Sequence, residues 1–188
     1  MSLKIIAGQA RGILLETPDG RTMRPTSGKG REALFSSLGP VAGLVFADIF
    51  AGSGAIGLEA ASRGAAQLVL VEENPRHCRM IERNIAKVRK AGAEFSDLVV
   101  CRRATAATLC GLPRADVWFF DPPYAESAAL FRTLCGDAAL RRHWEGARLI
   151  WELPDTVEAS RGFAESDLLP KSEIRTLGGV RFLWCDIT

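Results

Sequence analysis

The sequence predicts an α/β fold with a mixed seven-stranded sheet, in which parallel strands joined by helices end in an antiparallel C-terminal hairpin. Three observations predict it. From Val45 onward, short apolar runs alternate with helix-length amphipathic segments, the pattern of parallel strands and crossover helices. Val117-Trp118-Phe119-Phe120 is continuously apolar, as suits a strand buried on both faces, and stops at Asp121-Pro122-Pro123-Tyr124. Near the C-terminus, residues 172–177 and 180–187 are separated by Gly178-Gly179, the spacing of a tight hairpin.

The elements follow in order. Residues 3–16 read as a short β-hairpin around the turn-like Gly8-Gln9-Ala10-Arg11. Residues 17–30 carry Pro18, Asp19-Gly20 and Pro25 and read as a loop. Residues 31–38 place Ala33, Leu34, Phe35 and Leu38 on a helical stripe. Residues 44–50 form the first buried strand, followed by the glycine loop Ala51-Gly52-Ser53-Gly54 and a helix over 55–63 closed by Gly64. A second strand covers 67–71 and ends at Glu72-Glu73. A long amphipathic helix follows over 75–90, with Asn74 as cap, Pro75 as first residue and Gly92 as stop. Strand 97–101, helix 104–109, strand 115–120, helix 125–135 and strand 147–152 complete the alternation. No internal repeat or linker argues for two full domains.

Composition bounds the function. A chain of 188 residues with 47% hydrophobic and 24% charged residues is an ordinary globular protein. No apolar run approaches the roughly 20 residues that span a bilayer, and Met1-Ser2-Leu3-Lys4 is too short and polar ahead of Ile5 to act as a secretory signal. Five cysteines without a CxxC pair argue against a disulfide framework or a zinc site and fit free thiols in a cytoplasmic protein. With His77 and His143 as the only histidines, no histidine-based metal site is expected. The net charge of +2 proves no nucleic-acid partner, although residues 1–35 carry an excess of +3 that could meet phosphates.

Two motifs carry chemistry. Gly52, Gly54 and Gly57 satisfy G-x-G-x-x-G at a strand-to-helix turn, and Glu72 lies 20 positions after Gly52 at the end of the next strand. An acid there can hold ribose hydroxyls, so the pattern suits NAD and equally an adenosyl ligand without pyrophosphate. Asp121-Pro122-Pro123-Tyr124 is the second motif. The prolines stop the strand and hold Asp121 where open α/β sheets place ligands. Taken alone the corner is either a strand cap or a site for a planar amine, with Tyr124 stacking while Asp121 and the Pro122 carbonyl accept the amine hydrogens.

An Asp48-Ile49-Phe50-Ala51-Gly52-Ser53-Gly54 loop followed by Asp121-Pro122-Pro123-Tyr124 resembles the amino methyltransferases that use S-adenosyl-L-methionine. Ile5-Ile6-Ala7-Gly8-Gln9-Ala10-Arg11-Gly12, then Arg24-Pro25-Thr26, Arg31-Glu32 and Leu34-Phe35, is similar to the N-terminal blocks of the bacterial 16S ribosomal RNA guanine-N2 methyltransferases. The resemblance covers essentially the whole chain. It implies a Rossmann-like class I methyltransferase fold, with an RNA-contacting extension over 1–38 and the methyltransferase domain over 39–188. It implies that Asp121 and Pro122 orient a guanine amine, that Tyr124 and Pro123 contact the base, and that Glu72 holds the cofactor ribose. Phe50, Ala51, Gly52, Ser53 and Gly54 would line the methionine part, with Asp48 near its ammonium. The family often carries Asp or Asn after strand three; this chain has Arg102-Arg103-Ala104-Thr105, so backbone atoms of Ala104 are expected to meet the adenine. Arg11, Arg24, Thr26 and Arg31 are expected on the RNA side.

The expected partner is 16S ribosomal RNA or an assembling small subunit, and nothing in the sequence demands more than a monomer. Three rivals remain at this point: an adenine or cytosine amino methyltransferase acting on DNA, an NAD-dependent oxidoreductase, and a non-catalytic RNA-binding protein.

Overall fold

The computed structural model describes residues 3–18, 28–154, 163 and 168–188. The element order is α1 Gly28–Leu38, β1 Val45–Ile49, α2 Ala55–Ser62, β2 Gln67–Glu72, α3 Pro75–Lys90, β3 Ser96–Cys101, α4 Ala106–Cys110, β4 Val117–Phe120, α5 Tyr124–Gly136, α6 Ala138–His143, β5 Arg148–Glu152, β6 Glu173–Leu177 and β7 Val180–Asp186. The seven strands form one sheet in the order β3-β2-β1-β4-β5-β7-β6. Strands β1 to β5 run parallel, and β7 lies antiparallel between β5 and β6. The chain leaves β1 toward β2 on one side and returns to β4 on the other. The crevice beyond the carboxyl ends of β1 and β4 is therefore the topological switch point, where such sheets bind ligands.

Alternation along the strands divides the core into two layers. Phe46, Leu68, Leu70, Phe119 and Phe182 face α1, α2 and α3. Ala47, Ile49, Trp118, Phe120 and Trp151 face α4, α5 and α6. In the second layer Phe120 stacks on Trp151 at 4.8 Å, and Phe131 meets Trp151 edge-on at 5.2 Å. The indole N–H groups of Trp118 and Trp151 donate to the Ala115 carbonyl and the Ser127 hydroxyl, so both rings act in packing.

Helix α3 forms where capping and periodicity agree. The Asn74 side chain accepts from the Arg76 N–H at 2.9 Å, and Pro75 opens the helix. Cys78, Ile81, Ile85 and Val88 bury one stripe, and Lys87, Arg89 and Lys90 oppose the dipole at the last turn. Helix α6 was not anticipated. Asp137 both ends α5 and caps α6, its carboxylate accepting from Leu140 N–H at 2.8 Å.

The expected front hairpin is short: around the antiparallel bridge Lys4↔Leu14, Ile5 N–H donates to the Ile13 carbonyl, Gly12 N–H to the Ile5 carbonyl and Leu15 N–H to the Leu3 carbonyl. Its backbone is also stitched to α2. The buried Glu59 carboxylate accepts from Ile6 and Ala7 N–H at 2.8 and 3.0 Å, and the Ser62 carbonyl accepts from Gln9 N–H at 2.8 Å. Gly8 makes that approach possible: a Cβ there would lie 1.7 Å from the Ser62 carbonyl oxygen. Ile5, Leu15, Leu34 and Phe35 pack into the same apolar layer as Phe46 and Phe119.

Candidate active site

A cleft of about 560 Å³ opens at the switch point. Strand β1 delivers its floor. Asp48 is buried near the end of β1, and its carboxylate accepts from the Gly57 N–H of α2 at 2.9 Å. The chain then turns sharply. Phe50 adopts φ 67°, the only non-glycine among the described residues in the left-handed region, and Gly52 and Gly54 follow at 56° and 75°. Such a turn brings backbone rather than side chain to the cleft wall, with α2 starting directly behind it.

The loop is pinned from several sides. Ala51 N–H donates to the Val71 carbonyl at 2.9 Å, and Gly54 N–H to the Ala51 carbonyl at 2.7 Å. Gly52 N–H donates to Glu72 Oε2 at 2.9 Å, while Glu72 Oε1 accepts from Asn74 N–H at the same distance. Glu72 therefore fixes the loop as well as facing the cleft. The buried Asn84 of α3 donates to the Ser53 and Glu16 carbonyls and accepts from Glu16 N–H, tying the loop to the N-terminal segment. Its partners lie 31 and 68 residues away in sequence, so no local pattern could have singled it out.

The opposite wall is the Asp121 corner. The Asp121 N–H donates to the Ile49 carbonyl at 3.3 Å, which holds the corner beside the glycine loop. Pro123 opens α5, and its carbonyl accepts from Glu126 N–H at 2.9 Å. The Pro122 carbonyl accepts no hydrogen bond from a described residue. Tyr124 is 41% exposed at the rim, with its hydroxyl 3.3 Å from the buried carboxylate of Glu152. Glu152, at the end of β5, thus supports the tyrosine.

Electrostatics set the site apart from the rest of the fold. Burial, opposed by the Gly57 hydrogen bond and aided by Glu72, pushes Asp48 up to about 7. Burial first, then the nearby Glu152 and Asp48 charges, hold Asp121 well above the ordinary carboxylate range. Acids crowded into one cleft favour a cationic ligand, whose charge would lower each of these values.

Of the residues singled out from sequence, Asp48, Phe50, Ala51, Gly52, Ser53, Glu72, Ala104, Asp121, Pro122, Pro123 and Tyr124 all line this cleft. Gly54 lies beneath it as the N-cap of α2. Arg11 is exposed on the front segment, away from the cleft lining. Arg24 and Thr26 lie outside the described residues. Arg31, expected on the RNA side, is 2% exposed and sits in the cleft wall. Among the described residues no cluster of three or more His, Cys, Asp or Glu could hold a metal ion, and no helix is long and apolar enough to cross a membrane. The five cysteines are free; Cys78 is pushed up to about 12, chiefly by burial.

Sheet order, glycine loop and strand-end acids together define a class I methyltransferase fold. The structure superimposes on a precorrin-6y C5,15-methyltransferase from Geobacter metallireducens with a TM-score of 0.65 over 90% of this chain and 92% of that one, at 19% identity, which supports the fold alone. It superimposes on the Escherichia coli protein yhhF with a TM-score of 0.75 over 99% of this chain and 98% of that chain, at 28% identity. Residues 3–166 match the family model described as conserved hypothetical protein 95, and the chain belongs to that family. It is similar to the Escherichia coli (strain K12) ribosomal RNA small subunit methyltransferase D, 38% identical over 125 residues, or 65% of this chain. That match spans 60% of the length of the Escherichia coli protein.

Proposed function

We propose that the chain transfers a methyl group from S-adenosyl-L-methionine to the exocyclic N2 amine of a guanine in 16S ribosomal RNA, presented as RNA or as an assembling small subunit. The observation that carries this reading is the Asp121 corner. A carboxylate that receives no hydrogen bond from a described residue and an unpartnered Pro122 carbonyl stand at the switch point, next to an exposed aromatic ring. Two acceptors and one ring are the complement of a planar amine. The similarity to small-subunit methyltransferase D supports ribosomal RNA as the substrate class.

The residues present fit the cofactor. The cleft has the volume of an ordinary small-molecule site. Its acids suit a cation, and a buried guanidinium in its wall has two nitrogens without partners. When bound, S-adenosylmethionine supplies an electrophilic methyl on a sulfonium. The chain's part is positioning. Glu72 faces the ribose hydroxyls, Ala104 the adenine, and Phe50 to Gly54 the methionine chain, with Asp48 toward its ammonium. Asp121 and the Pro122 carbonyl accept the two amine hydrogens and turn the nitrogen lone pair toward the methyl. Tyr124 stacks on the base once it has left its neighbours, with Pro123 beside it. Arg11, and Arg24 and Thr26 beyond the described residues, are assigned to the RNA backbone. A monomer in the cytoplasm suffices for all of this.

One observation separates this reading from a nicotinamide enzyme. The Gly52 N–H, which a pyrophosphate would need, already donates to the Glu72 carboxylate. The test is transfer of labelled methyl groups to ribosomal RNA or small subunits from a strain lacking the enzyme, followed by nucleoside analysis. N2-methylguanosine as the labelled product supports the proposal. Label on adenine or cytosine, or thermal stabilisation by NAD and not by S-adenosylhomocysteine, would overturn it.

A further inference from the structure

Arg31 is the buried cation of the described residues, at 2% exposure, on helix α1. Its Nη2 donates to the Lys4 carbonyl at 2.9 Å. Its Nε and Nη1 are shielded from solvent and have no hydrogen-bond partner. The acid whose charge it feels, Glu59, is already committed: its two oxygens accept from Ile6 N–H, Ala7 N–H and the Arg63 guanidinium. A buried guanidinium with two idle donors is costly unless something anionic completes it. Arg31 also lines the cleft, together with Asp48, Ser53 and Ile56.

We propose that Arg31 receives the α-carboxylate of the cofactor's amino-acid end. This rests on the reading of the cleft as an S-adenosylmethionine site, and it goes beyond it by assigning the one part of that ligand no residue had been given. Three observations select this anion. Burial puts the guanidinium out of reach of a phosphate on an RNA backbone, which needs an open surface. The other cations of the cleft lining, Arg102 and Arg103, are exposed, so Arg31 is the buried cation that a carboxylate entering the cleft would meet. Asp48, which lines the same cleft, suits an ammonium, so Asp48 and Arg31 together match the two opposite charges of an amino-acid zwitterion. The planar guanidinium fork carries a fixed positive charge, and its idle Nε and Nη1 lie on different edges, so a carboxylate accepts from one of them in a single charge-assisted bond. Lys4, through its carbonyl, sets the orientation of that fork, which gives the N-terminal segment a part in cofactor binding.

The test compares S-adenosylmethionine with its decarboxylated form, which keeps the adenosine, the sulfonium and the ammonium. Affinities are measured by calorimetry for the unaltered protein, Arg31→Met and Arg31→Lys. The unaltered protein should prefer the carboxylated ligand by about 10- to 100-fold, the range of a charge-assisted hydrogen bond. Arg31→Met should bind both ligands alike, at the affinity the unaltered protein shows for the decarboxylated one. Arg31→Lys, which keeps the charge and loses the fork, should retain a reduced preference, and it covers the case in which the Met variant does not fold. Equal binding of the two ligands by the unaltered protein overturns the assignment. So does an undiminished preference in Arg31→Met, or a loss of RNA affinity with the ligand preference intact. If neither ligand binds the unaltered protein, the methyltransferase reading itself falls.

Discussion

At the glycine loop, the chain answers its own polar groups. Gly52, Gly54, Ala51 and Gly57 all donate to acceptors within the fold, and the Ser53 carbonyl accepts from Asn84. At the Asp121 corner, across the same cleft, the Asp121 carboxylate and the Pro122 carbonyl receive no hydrogen bond from a described residue. The first wall is built to keep its shape. The second wall holds two acceptors that, under the proposed function, await hydrogens brought by the substrate. Unpartnered acceptors cost stability in the free protein. Under the proposed function, their retention beside a well-satisfied loop assigns the chemistry to the second wall.

The largest way to break this contrast is Asp121→Ala. Removing one pre-positioned acceptor should lower methyl transfer by about 10²- to 10³-fold, the range for deleting one such group from a preorganised site. Affinity for S-adenosylhomocysteine should stay within about twofold, and the free protein should become slightly more stable, because a desolvated carboxyl that no described donor satisfies has gone. Single-turnover kinetics and thermal melts read both. A variant with full activity would show that the corner is no more than a strand cap.

Glu72→Gln tests the other wall. The amide cannot accept from both Gly52 and Asn74 and face ribose hydroxyls as a carboxylate does. Cofactor affinity should fall by roughly 10- to 100-fold and the melting temperature should drop with it, since about 1.5–3 kcal/mol attaches to a charged hydrogen bond. The expected signature is the reverse of Asp121→Ala: weaker cofactor binding, with transfer recovered at saturating cofactor. Unchanged affinity would remove Glu72 from the cofactor's contacts.

Tyr124 sits between the two behaviours. Its ring is exposed, while its hydroxyl is tied to Glu152 at 3.3 Å. Tyr124→Ala should raise the KM for RNA by about 5- to 30-fold, from a stacking contribution on the order of 1–2 kcal/mol. Cofactor affinity should not move. Tyr124→Phe keeps the ring and should cost less than threefold. If Phe were as damaging as Ala, the hydroxyl and Glu152 would be the working pair instead of the ring.

Much of this was legible in the sequence, for identifiable reasons. Helix α3 is readable because Asn74, Pro75 and the stripe from Cys78 to Val88 say the same thing. Strand β4 is readable because four apolar residues meet two prolines. That Asp48, Glu72 and Asp121 meet at one cleft is readable because strand ends in a parallel sheet share one edge. What escaped was long-range or short-lived. Helix α6 has six residues and shares its cap with the end of α5. The front hairpin is held by Glu59 and Ser62, over 50 residues away, as well as by its own pairing. Arg31 is the largest departure, because an arginine flanked by Gly30 and Glu32 reads as surface. Its burial comes from Lys4 and from the cleft wall, neither of which a local pattern contains.

The smallest expected effect concerns the free protein's response to pH, and it sharpens the contrast from the glycine-loop side. Asp48 is raised from 3.8 to about 7 in the fold. A raised carboxyl binds its proton more tightly when folded than when unfolded. Its stabilising effect is therefore full below the unfolded value and is lost as pH climbs through the folded value. Between pH 6 and 8 this one group should remove about 1.4 kcal/mol, or about 3–5 °C of melting temperature for a chain of this size. Asp121 shifts in the same direction and adds to the slope. Asp48→Asn isolates the first contribution, because the amide oxygen can still accept from Gly57 N–H while carrying no charge. The difference in stability between the two proteins should therefore grow from pH 6 to pH 8 in favour of Asn. Urea denaturation across that range measures it. Parallel curves would mean that Asp48 is already ionised in the free protein, and that an ammonium would meet a charge the glycine loop has held in place throughout.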